Sequence, residues 1–169
     1  MTPTMLTPEE ISSLPAYRRR GSYPRCLALT SGTRPKVAAR LTALTDGLAV
    51  VDDSRHIWLP AGMGDRREAQ LGKTPPFLTN PQRDALLNWW LVHRRGRGPT
   101  WDIASQATIE GREGLLLVEA KAHVNELHAG GKPPGGNIEN HQRIGAAMAE
   151  AIAALNAILP GWALSRDHH

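Results

Sequence analysis

The chain has 169 residues, 41% of them hydrophobic, a formal charge of +4 and one cysteine, which is apolar material enough for the core of a globular protein of ordinary size. The lone Cys26 excludes an intrachain disulfide or a cysteine-based zinc site and suits a reducing cytoplasm, no apolar run reaches the length of a membrane span, and the acids and prolines of residues 1–10 do not read as a secretory signal. With lysine only at Lys36, Lys73, Lys121 and Lys132, the basic charge is mostly arginine, which permits a nucleic-acid partner without requiring one.

Thr7-Pro8-Glu9-Glu10, with Ile11 and Leu14, predicts a capped first turn of a helix that Pro15 cuts short. Tyr17-Arg18-Arg19-Arg20-Gly21 follows. A basic cluster of this size could touch phosphate, but a solvated surface is the favoured reading. Val37, Leu41, Leu44 and Leu48 repeat at helical spacing and predict a helix over 37–48. Residues 47–51 and 55–59 flank Asp52-Asp53-Ser54 and suit a hairpin. The paired aspartates fit turn chemistry, in which the side chain bonds its own backbone, better than a metal site.

From Pro60 to Pro81 the composition shifts to Gly, Pro, Lys and Arg, which reads as a loop or linker without a phosphate-binding glycine pattern. Asn80-Pro81 then opens a helix whose apolar stripe is Leu86, Leu87, Trp90 and Leu91 and which stops at residues 94–99. Arg94, Arg95 and Arg97 there suit the negative end of a helix and equally a nucleic-acid backbone. A strand over 100–109, a turn over 110–114 and a returning strand from Leu115 form the next unit, a hairpin. Its second strand, Leu115-Leu116-Leu117-Val118, is apolar enough to be covered on both faces, and it ends in Glu119-Ala120-Lys121-Ala122-His123. Period-two geometry puts Glu119 and Lys121 on one face and Ala120 on the other. Pairing around the turn brings Asp102 near 119–122. After a Gly/Pro-rich loop, Asn137 or Asn140 starts a helix to about Leu159, with Ile144, Met148, Ile152 and Leu155 on one face and alanines that allow close packing against the sheet. Trp162-Ala163-Leu164 looks like the start of a further element.

Asp102 followed by Glu119-x-Lys121 at the end of the next strand resembles the motif of the PD-(D/E)XK nuclease superfamily, over about Asn80 to Leu159. The resemblance implies an α/β restriction-endonuclease-like core with a small mixed sheet flanked by helices, in residues 80–169, with 1–79 an N-terminal α/β region and linker. It implies that Asp102, Glu119 and the Ala120 carbonyl hold magnesium or manganese, and that Lys121 stabilises developing negative charge. Two carboxylates and a carbonyl suit a hard cation that keeps several waters. The chain departs from the pattern in lacking a Pro-Asp pair. Asp84 and Gln142 match only loosely the polar residues that many members carry on the flanking helices. The superfamily core has another strand after its second helix, and 162–169 is what remains for it. A short strand there, truncation, or an edge completed by a homodimer or other partner chain is therefore expected. His123, His128 and His141 match no standard zinc spacing; His123 stays a candidate beside the site.

The expected function is a metal-dependent endonuclease or exonuclease acting on DNA in the cytoplasm. The alternative is a nuclease-like module that binds nucleic acid or assembles without cutting. A third reading is a small α/β protein that pairs with another subunit through the region after Ala163.

Overall fold

The computed structural model describes residues 5–73, 77–92, 98–123 and 137–161. Two compact units divide the chain, Met1–Gln70 with Thr100–Val124 and Leu71–Pro99 with Asn125–His169. This division differs from a boundary at residue 80, because the chain leaves the first unit after Gln70 and re-enters it at Thr100.

The first unit opens with α1 (Pro8–Ser12), whose capping box joins Thr7 and Glu10 reciprocally. A 3-10 turn (Ala16–Arg18) leads to α2 (Ser22–Leu29) and α3 (Arg34–Ala43). The sequence pattern did not disclose α2. Its N-cap is Gly21 with no side-chain bond, and Pro24 sits in its first turn, so neither an oxygen-bearing cap nor strong propensity marks it. Helix α3 begins earlier and ends earlier than 37–48: Val37 and Leu41 are buried, whereas Leu44 and Leu48 are exposed beyond its end.

β5 (Ile103–Ile109) is the spine of the main sheet. On one edge it pairs antiparallel with β6 (Arg112–Val118) over its whole length, from Ile103 opposite Val118 to Ile109 opposite Arg112. On the other edge lie two short strands, β1 (Ala49–Val50) opposite 108–109 and β2 (Trp58–Leu59) opposite 104–105. The hairpin expected of 47–59 is therefore not a hairpin ladder; β1 and β2 each pair with β5 instead. Between them Asp52 Oδ1 accepts from the Ser54 amide and hydroxyl at 2.8 and 2.6 Å, the turn chemistry expected there. The segment expected as plain linker contains β3 (Ala69–Gln70), which pairs with β4 (Thr100–Trp101) in a second small sheet. Every pairing among the described strands is antiparallel, so the sheet is not the mixed one expected.

The core of this unit draws on α2 (Cys26), α3 (Val37, Leu41), β2 (Trp58), β5 (Ile103) and β6 (Leu116), with Val118 and Ala120 packed against it. A smaller cluster joins Leu6, Leu14, Leu27 and Ala28. β6 is less covered than its aliphatic run suggests. Only Leu116 is fully buried and Leu115, Leu117 and Val118 are partly buried, because β5 is the one neighbour it has among the described residues.

In the second unit, α4 (Asn80–Trp90) is capped by Thr79 with Gln82 closing a capping box, one residue before the Asn80 expected. Helix α5 (Ile138–Ile158) is capped by Asn137. The two helices meet, Trp89 Nε1 donating to Glu150 at 2.9 Å and Val92 N to Asn140 at 3.0 Å. The partner of α5 within its unit is thus a helix rather than a sheet. Only Ala147 of α5 is fully buried. Among the described residues no helix is long and apolar enough to cross a membrane.

Candidate active site

The hairpin turn sets the geometry. Glu110 and Gly111 have φ of 49° and 76°, the two left-handed positions of a two-residue I′ turn whose twist matches its strands. The loop is shorter than the five residues expected, and it fixes the register. Carried one step past Ile103 and Val118, that register sets Asp102 across from Glu119, within the 119–122 neighbourhood that the sequence permitted. Asp102 itself interrupts the expected strand, as a bend between β4 and β5.

At that bend the Asp102 Oδ2 accepts the Ala120 backbone amide at 2.7 Å, a charge-assisted bond joining the aspartate to the centre of the Glu-Ala-Lys triplet. The alternation beyond β6 holds. Ala120 packs on the core while Glu119 and Lys121 are exposed. Lys121 Nζ donates to Glu119 Oε1 at 2.5 Å, their side chains 38% and 48% exposed. So open an ion pair contributes about 0–1 kcal/mol to stability, and redirecting either group toward a ligand costs little. Burial of the strand therefore does not set these charges apart; what joins their triplet to the facing strand is the bond from Ala120 to Asp102.

Helix α2 braces the same corner. Arg25 Nη1 donates to the Ala122 carbonyl at 3.1 Å, one residue past Lys121. Burial pushes the Cys26 thiol up from 9.0 to about 12, and the carboxylates of Asp102, Glu119 and Glu68 push in the same direction. Glu68 was hidden from sequence reasoning. It lies in the segment expected as linker, and only the pairing of Ala69 with Trp101, extended by one residue, sets it across from Asp102. Nothing in the residues around it signals that position.

Among the described residues no group of three or more His, Cys, Asp or Glu side chains is arranged to hold a metal, so Glu68 does not complete an acidic triad with Asp102 and Glu119. The donor set at issue is smaller: two carboxylates from facing strand positions and one carbonyl, all oxygen, which fits a hard divalent cation that retains water.

His123 is exposed past the strand end. Asp84 lies on α4, its Oδ1 4.0 Å from Arg83 Nε, and Gln142 is exposed on α5; both belong to the second unit. Arg94, Arg95, Arg97 and His128 lie outside the described residues, as does 162–169. Compared with protein families, curated proteins and solved structures, the chain matches none.

Proposed function

We propose that the chain is a metal-dependent nuclease that hydrolyses DNA phosphodiester bonds at Asp102, Glu119 and Lys121. The observation that carries this reading is the 2.7 Å bond from the Ala120 amide to Asp102. It joins the acid of one strand to the Glu-x-Lys triplet of the next. Asp102, Glu119 and the Ala120 carbonyl would hold magnesium or manganese. A bound divalent ion there supplies neutralisation of phosphate charge and a water of lowered pKa.

The chain's own groups do the rest. The Ala120 amide fixes the Asp102 carboxylate in one orientation, so its charge is in place before substrate arrives. Lys121 carries an ammonium beside Glu119, where it can orient a water and stabilise the negative charge that grows on the phosphoryl oxygens. Arg25, through the Ala122 carbonyl, holds the strand end on which Lys121 is mounted.

The test is cleavage of supercoiled and linear DNA with magnesium or manganese by wild type, Asp102→Ala and Lys121→Ala. Each substitution is expected to lower the rate by about 100-fold or more. Magnesium is expected to raise the melting temperature of wild type and not of Asp102→Ala. Equal cleavage by all three proteins sinks the assignment. DNA binding that falls steeply with salt, ignores chelator and is never followed by cleavage would make the chain a non-catalytic binding module.

A further inference from the structure

The cluster expected to be a solvated surface is largely one, with Tyr17, Arg19 and Arg20 exposed, and its Tyr17, Arg18 and Arg19 also line a pocket. The pocket has a volume of about 470 Å³ and is lined by Ser13, Tyr17, Arg18, Arg19, Tyr23 and Arg66 among others, within the range of small-ligand sites. Its walls are organised by contacts distant in sequence. Tyr23 packs on the Leu6–Leu14–Leu27 cluster and donates its hydroxyl to the Arg66 carbonyl at 2.8 Å. Arg19 donates to the carbonyls of Leu14 and Ser12, both at 2.8 Å, neutralising the end of α1. Arg66 Nη1 reaches the Ser13 carbonyl at 3.5 Å. The Arg18 guanidinium stacks over Tyr23, 4.4 Å from its ring centroid, and lies 5.8 Å from that of Tyr17.

Two features of this pocket select its ligand. Three arginines line it, so it favours an anion. Tyr17 stands at its rim 81% exposed, an aromatic face that packs no core. Arginines beside an open aromatic ring match a phosphate joined to a free base, which stacks on such a ring in any sequence. A duplex keeps its bases stacked on one another and offers no free face.

We infer that this pocket binds an unpaired nucleotide of a single-stranded nucleic acid, with the base on Tyr17 and the phosphate on Arg18 and Arg66. Arg18 also pairs with Glu68 at 3.6 Å, and Glu68 lies across from Asp102 in the β3–β4 register. The pocket's Arg18 is thus paired with a residue whose backbone position faces Asp102. That the strand held is also the strand cut rests on the nuclease reading; the binding does not.

The experiment is fluorescence anisotropy with the full chain in chelator, so that nothing is cut, using labelled thymidine and uridine oligomers and a hairpin duplex. Wild type is expected to prefer an oligomer to the duplex, and the arms show whether DNA or RNA is favoured. Tyr17→Ala is expected to bind oligomer about tenfold more weakly, and Tyr17→Phe to keep wild-type affinity. Arg66→Gln is expected to reduce the salt slope by about 0.7. Tyr17→Ala binding both oligomers as wild type does, or a duplex bound as tightly as the oligomers, overturns the inference. Asp102→Ala, measured for both binding and cleavage, separates the two proposals. Loss of cleavage with an inert Tyr17 leaves only the nuclease reading, and a sensitive Tyr17 without any cleavage leaves only the pocket.

Discussion

Cys26 lies beneath the carboxylates of the site and reports on them. Its thiol is raised to about 12 by burial first and by Asp102, Glu119 and Glu68 after it. The unfolded chain releases this proton from pH 9.0 upward while the folded chain keeps it, so the stability it contributes is whole below 9.0 and is lost as pH rises toward about 12. In that window urea titrations are expected to show stability falling by about 1.4 kcal/mol per pH unit more steeply in wild type than in Cys26→Ala. Equal slopes would mean the thiol ionises freely. The motif residues were legible because each carries its own signal, an acid before one strand and Glu-x-Lys after the next. Glu68 and Cys26 were not. What relates them to the site is a strand pairing and a helix packing, and neither is written in their neighbours.

The hairpin β5–β6 is the element on which the site depends, and its turn is where sequence and backbone can be set against each other. Gly111 at φ 76° would meet nothing within 4 Å if it gained a Cβ, so Gly111→Ala costs backbone conformation alone, about 1–2 kcal/mol. Glu110 already bears such a cost at φ 49°. Glu110→Asn, with a side chain that tolerates this region, is expected to stabilise by about 0.5–1 kcal/mol. Chemical denaturation of both variants checks this, and a destabilised Glu110→Asn would show that the turn is not of the I′ kind. Hairpin, capped helices and turn acids were readable because their causes are local. β1 and β2 fall inside the strands expected at 47–51 and 55–59, but their pairing with β5, like the existence of β3, depends on partners about 30 to 60 residues away, beyond any window of periodicity. The helix α2 failed for the opposite reason: its local signals argue against it, and burial of Cys26, Leu27 and Ala28 overrides them.

At the scale of the whole molecule, the main core of the first unit is also the seat of the site, since Ala120 packs on the cluster that contains Leu41. Leu41 is fully buried. Leu41→Ala is expected to cost about 2–5 kcal/mol, a large part of the 5–15 kcal/mol typical of a folded domain. The check is urea unfolding; a loss below about 1 kcal/mol would mean the cluster collapses around the gap. The unit that holds this core is drawn from two separate stretches of chain. Gln70, the last residue of the first stretch, is the register partner of Thr100, the first of the second. Departure and return therefore occur at a single seam, about 5 Å wide, two residues from Asp102. Whatever is spliced between those two residues meets the same narrow doorway, and doubling its length adds only about 0.6 kcal/mol of closure entropy. The seam lets the chain leave for the second unit, where α4 is bound to α5, and return beside the acid without redrawing the sheet that carries it.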